Sequence, residues 1–352
     1  MSRLNRPKLT RHNQRPIVVL TRPRPSAPTP APPPPPLNPN VKNFDINIAV
    51  ELMEMCINSY QQINYYEKNG NLNDWTVSLS DNSEVELIEN LFIYEKQKSS
   101  DNINIIKTFP IGFIAKKNNL SDPDRPDYYI CFRGTETAKE WEDNLDFGKT
   151  KCSFLNGGEK VHKGFQTIYT IGGGGDPPDS TKKSIPQDVI MSFLNSLQTT
   201  QYRRLYVTGH SLGAALAALC VLDIVVNTVH KGAIMYNYAG PAVGDQKFAT
   251  TFKNNIGTNF CSGIINNNLC SFRVVNINDL VPNLPPPKLG PVKLGYVHVN
   301  GCSGPLVCNN SSTNDTDANG LYLIEFGDKD NPDECHEKTT YLKILQNIRD
   351  KQ

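Results

Sequence analysis

Apolar positions over residues 46–65 recur at helical spacing, with Ile48, Val50, Leu52, Met53, Cys56 and Ile57 as candidate core, which predicts an opening amphipathic helix. The period then changes. Residues 111–114 and 128–132 are short apolar and aromatic runs of strand type, the second leading into Arg133-Gly134-Thr135. Residues 136–144 form a polar excursion of helical character that carries Trp141. Residues 172–180, with four glycines and two prolines, read as a surface insertion; no strand feeds them and no Lys-Ser/Thr closes them, so they do not form a phosphate cradle. Residues 185–197 again show helical amphipathicity. A compact strand at Leu205, Tyr206 and Val207 follows, and then the dense apolar run 212–226. That run is too short to span a bilayer and contains Asp223, which makes it a buried helix. Residues 233–238 and 272–276 predict two further strands, separated by a helix over 245–254, and a helix over 339–348 closes the chain. Strands alternating with helices predict an α/β fold: a mostly parallel central sheet with helices on both faces. The chain shows no internal repeat.

Charge divides the chain in two. Residues 1–42 hold eight Lys/Arg, no Asp/Glu and 12 of the 26 prolines, including the run Pro32 to Pro36. Such a segment cannot bury enough apolar surface to fold, and reads as a disordered basic arm with polyproline II character, a spacer or a docking site for an unknown partner. Its apolar stretch from Ile17 to Leu20 is far too short for a secretory leader, and the prolines do not suit a transit peptide. Beyond the arm, 28 basic residues face 35 acidic ones, a formal charge of −7 that argues against nucleic-acid binding by the body. With 38% apolar residues overall the chain can bury a sizeable core, and residues 43–352 read as a single domain.

The chemistry concentrates at Thr208-Gly209-His210-Ser211-Leu212-Gly213, placed between the predicted strand and the buried helix. A serine at the apex of a strained strand-to-helix turn is expected to present its hydroxyl to solvent. Glycines two residues either side remove side chains that would collide there, and the new helix aims its free N–H groups at a developing oxyanion. An activated serine needs a base and an orienting acid, which follow it in chain order in this architecture. Of six histidines, His12 lies in the arm, His210 within the turn with its ring expected to point away from the serine, and His162 and His230 in helix or turn context. His298, in the alternating stretch Tyr296-Val297-His298-Val299, and His336, before the closing helix, remain as candidate bases. Asp279 follows the strand 272–276, where a loop carboxylate can reach such a histidine.

Gly209-His210-Ser211-Leu212-Gly213 does not stand alone. Phe132-Arg133-Gly134-Thr135, Val161-His162-Lys163-Gly164-Phe165, Gly240-Pro241-x-Val243-Gly244-Asp245 and Val275-Asn276-x-Asn278-Asp279-Leu280-Val281-Pro282-x-Leu284-Pro285-Pro286 follow in order. Together they resemble the class 3, fungal-type lipases, over residues 46 to the C-terminus. The resemblance implies an α/β-hydrolase fold and carboxylic-ester hydrolysis, with an acylglycerol the expected substrate. It implies Ser211 as nucleophile, Asp279 as the acid and His336 as the base, with His298 non-catalytic. Thr135 and Leu212 match the oxyanion hole, and residues 136–144, with Trp141, the lid. Where the family's lid segment usually ends Trp-x-x-Asp-Leu, this chain reads Trp141-Glu142-Asp143-Asn144-Leu145, and the lid is crowded with charge. The chemistry requires no metal or cofactor. Phospholipases and aromatic-ester hydrolases on the same fold, and a non-catalytic lipid-binding member, are the alternatives.

Nine cysteines leave at least one free thiol. Cys131 and Cys220 fall in core elements and are expected to be buried and reduced, whereas Cys261 with Cys270, and Cys302 with Cys308, could close loops. Sequons at Asn309, Asn310 and Asn314 suit a secreted chain, and the missing leader favours intracellular residence; the compartment stays unassigned.

Overall fold

The computed structural model describes residues 44–98, 104–119, 122–135, 147–173, 185–256, 271–299, 321–328 and 331–351. Helix α1 (Ile46–Asn69) runs one turn beyond its predicted end. Asp45 caps it by accepting from the backbone N–H groups of Asn47 and Ile48, at 2.9 and 3.4 Å. Gly70, at φ +72°, closes it in the left-handed conformation.

A meander follows: β1 (Val85–Lys98), β2 (Asn104–Asn119) and β3 (Asp122–Phe132). Strands β4 (Lys149–Lys151) and β5 (Lys160–His162) pair as a small hairpin before helices α2 (Lys163–Ile171) and α3 (Pro186–Ser196). Then come β6 (Arg204–His210), α4 (Leu212–Asn227), β7 (Ile234–Tyr238), α5 (Gln246–Ile256) and β8 (Ser271–Asn276). The chain closes through the short pair β9 (Lys288–Leu289) and β10 (Val292–Lys293), strand β11 (Leu321–Ile324), and helices α6 (Pro332–His336) and α7 (Lys338–Arg349).

Seven strands form the main sheet in the order β1-β2-β3-β6-β7-β8-β11. From β3 to β11 every neighbouring pair is parallel, whereas β1, β2 and β3 pair antiparallel. The sheet is therefore mostly parallel, with an antiparallel edge longer than the two short runs predicted there.

Both faces are covered. On one, α1 and α7 bury Leu52, Met53, Tyr341 and Leu345 against Tyr206, Tyr236 and Val274 of the sheet. On the other, α2 to α5 bury Phe165, Ile190, Leu216 and Phe248 against Val207 and Met235. Helix α4 is buried from Leu212 to Val225, as a sequence apolar all round except at Asp223 requires. Asp223 is tolerated within it because its carboxylate accepts from Tyr169 Oη, Gln187 Nε2 and Asn227 Nδ2, at 3.0, 2.6 and 2.7 Å. Among the described residues no helix is long and apolar enough to cross a membrane.

Candidate active site

The chain leaves β6 at His210 and enters α4 at Leu212, so Ser211 alone makes the turn. It holds φ +60° and ψ −125°, a conformation that costs on the order of 1–3 kcal/mol for a residue with a side chain. The flanking glycines are needed for backbone reasons rather than for access to the serine. A Cβ on Gly209 would lie 2.2 Å from the Gly213 carbonyl oxygen, and one on Gly213 would lie 2.2 Å from the Phe132 carbonyl oxygen. The glycines thus let helix α4 start against the ends of β6 and β3. The expected exposure of the serine is corrected: Ser211 is 0% exposed.

Two distant segments form the relay that ends on its hydroxyl. Asp279 lies in the turn after β8, where its backbone N–H bonds Asn276 O at 3.1 Å and its Oδ1 accepts from Val281 N at 2.9 Å. His336 is the last residue of α6. Its Nδ1–H donates to Asp279 Oδ2 at 2.8 Å, which leaves Nε2 to accept from Ser211 Oγ, also at 2.8 Å. The carboxylate is wholly buried, and His336 is 7% exposed.

The end of β3 runs alongside this turn. A Cβ on Gly134 would fall 2.6 Å from His210 O and 2.9 Å from Ser211 Cβ, which sets the following residue, Thr135, beside the nucleophile. Arg133 braces that segment through Nη1 to Gly134 O at 2.7 Å and Nε to Pro110 O at 3.2 Å. Thr135 Oγ1 is buried and makes no hydrogen bond. Leu212 opens α4, so its N–H is one of the helix's amino-terminal donors. Trp141 and the proposed lid lie outside the described residues, as do Cys261, Cys270, Cys302, Cys308 and the sequons.

Two other histidines depart from expectation. The alternating stretch around His298 reads as a half-buried strand, but His298 is fully buried in a loop: among the described residues only an isolated bridge from Val297 to Gly244 orders it, and its Nε2–H donates to Pro282 O at 2.6 Å. Burial, and then the Arg273 charge, hold its pKa well below the ordinary histidine value. It braces the Asp279 loop and does not touch the serine's partners. His210 does not point away from the site. Its ring packs on the His336 ring with centroids 4.7 Å apart, and its Nδ1 lies 3.0 Å from Tyr60 Oη. Burial first, then the neighbouring His336 and Lys338, push its pKa well below the usual range, so it sits neutral against the base.

The sequence also hid two supports of the site. Tyr341, on α7, donates to Asp279 Oδ2 at 2.9 Å and accepts from Asn276 N at 2.9 Å. Asn276 Nδ2 in turn donates to Cys335 O at 2.9 Å, tying the end of β8 to the residue before His336. Tyr341 lies in no motif that distinguishes it from an ordinary core tyrosine, and Asn276 falls within the Val275–Pro286 series but with no role assigned to it there.

Residues 129–289, which contain the Ser211 turn and Asp279, match the family described as Lipase (class 3). That region of the chain is similar to the class 3 lipases. Among similar class 3 lipases and their relatives, a lipase of Rhizomucor miehei is 27% identical over 196 residues, covering 54% of this chain and 47% of that protein. Phospholipase A1-II 4 of Oryza sativa subsp. japonica is 31% identical over 204 residues, covering 54% and 46%. The chain thus spans about half the length of the curated relatives it matches. The solved structure of the Rhizomucor miehei triacylglyceride lipase aligns over 73% of this chain and 79% of that one, with 21% identity and a TM-score of 0.45. The class 3 lipase region ends before His336, which reaches the serine only through the C-terminal helices. Among the described residues no group of His, Cys, Asp or Glu is arranged to hold a metal ion.

Proposed function

We propose that this chain is a serine carboxylic-ester hydrolase acting on an acylglycerol-type lipid ester. The observation that carries this reading is the relay from Asp279 Oδ2 through His336 to Ser211 Oγ, with both hydrogen bonds at 2.8 Å. His336 takes the proton as Ser211 attacks the ester carbonyl, and Asp279 holds the imidazole in the required tautomer and stabilises its charged form. The backbone N–H groups of Thr135 and Leu212 receive the oxyanion, each donor contributing about 3 kcal/mol to the barrier reduction. His336 then protonates the departing alcohol, and a water activated by the same histidine releases the acid. Residues 136–144, with Trp141, act as the lid in this reading.

A second reading is supported by the relatives. The rice protein named a phospholipase A1 matches a segment of similar length to that matched by the fungal lipase. The same site would then cleave an acyl ester of a phospholipid. A panel of triacylglycerol, diacyl phospholipid and short soluble esters, run on the wild type and Ser211→Ala, separates the two. All turnover should fall by at least ~10³-fold in the variant. Retention of a tenth of the wild-type rate by folded Ser211→Ala removes the serine mechanism altogether.

A further inference from the structure

Away from the site, the sheet carries a cluster of buried polar groups with no partners. Arg273, in the middle of β8, is 1% exposed, and neither Nη1 nor Nη2 makes a hydrogen bond. Asn237 of β7 is its register partner, so the two side chains leave the same face of the sheet. Ser271, two residues before Arg273, shares that face. Asn237 Oδ1 and Ser271 Oγ are likewise buried and unbonded. Four of the nine such atoms among the described residues therefore sit on one patch of two adjacent strands.

Chance is a poor account of that clustering, because an interior seldom leaves a guanidinium unpaired. Burial lowers the Arg273 pKa only to about 9, so it keeps its charge at neutral pH. No Asp or Glu side chain among the described residues bonds it. The titratable groups beside it are His298, which burial and Arg273 itself keep neutral, and Tyr341, which burial keeps protonated.

We infer that Arg273, Asn237 and Ser271 form a buried site for a small monovalent inorganic anion of the chloride class. The guanidinium supplies one positive charge and two donor groups, and the Ser271 hydroxyl a third. A half-turn of the Asn237 amide, whose Nδ2 now makes only a 3.8 Å contact with Met235 Sδ, brings another donor to the patch. One positive charge balances one negative charge, whereas a dianion would leave buried charge uncompensated. Enclosure selects against large organic anions, since Asn237 and Ser271 are 4% and 5% exposed. The anion ties β7 to β8, the strand whose end positions Asp279, so it acts on stability and leaves the chemical step alone.

The full-length protein tests this directly. Its Tm is measured as chloride replaces gluconate up to ~0.3 M at constant ionic strength, which separates binding from screening. We expect a saturable rise of about 2–5 °C with chloride or bromide and none with gluconate. Arg273→Met should abolish that dependence. A bromide-soaked crystal needs no variant and should place the anion on the guanidinium. Equal Tm values in chloride and gluconate would overturn the inference, as would a carboxylate of the protein's own found seated on Arg273.

Discussion

At the scale of single residues, Asp279 Oδ2 is shared between His336 and Tyr341. Tyr341→Phe removes one of the donors that fix the carboxylate and should cost about 3–10-fold in kcat with KM little changed. Steady-state kinetics check this, and an unchanged kcat would assign Tyr341 a purely structural role. The two candidate bases separate as cleanly. His336→Ala should lose at least ~10³-fold in rate, while His298→Ala should lower Tm through the lost bond to Pro282 and keep most of its turnover. Chain order and context leave both histidines open, because the alternation around His298 imitates a strand. The family resemblance chose His336, and the structure puts that residue on Ser211. Tyr341 could not be read from the sequence, since its role depends on where α7 packs.

Elements explain the turn and what the sequence conceals around it. Helix α4 begins so close to β3 that Gly213→Ala sets a methyl group against the Phe132 carbonyl, a backbone group with no rotamer to relax. That change should cost about 1–3 kcal/mol and displace the oxyanion donors as well. Chemical denaturation paired with kcat measures both effects. The central parallel strands β6, β7 and β8 and helices α3, α4 and α5 are legible because each is an apolar run or a clear amphipathic stripe, whereas strand β11 and helix α2 are too short for such a signal to stand out. Nor is the edge meander legible. Register shifts between Leu87 and Glu89 and between Leu91 and Phe92 break the period of β1, and Pro110 and Gly112 interrupt β2. The segment proposed as the lid reads as charge in sequence: Glu136, Lys139, Glu140, Glu142 and Asp143 flank Trp141. Each apolar side chain entering lipid contributes roughly 1.5–3 kcal/mol, and one large aromatic gives little drive to open at an interface. We therefore expect modest interfacial activation. Hydrolysis of a short-chain triglyceride followed across its solubility limit tests this, and a sharp rise at droplet formation would contradict it.

Across the whole molecule, two buried histidines couple the fold to pH. His210 and His298 both have native pKa values well below 6.5, so on acidification the unfolded chain takes up two protons that the native state refuses. Their contribution is intact above pH ~6.5 and is lost below it, with a slope of up to about 2.7 kcal/mol per pH unit. Tm measured from pH 8 to 5 should fall accordingly, and His298→Gln should flatten the curve; a level profile would contradict the assignment. The central claim concerns the serine, and it is tested most directly by titrating the folded protein with a labelled fluorophosphonate. One equivalent should attach to Ser211 and abolish ester hydrolysis in parallel, with no labelling of Ser211→Ala. A folded wild-type protein that stays unlabelled, or that keeps its turnover when Ser211 is modified, would contradict the account.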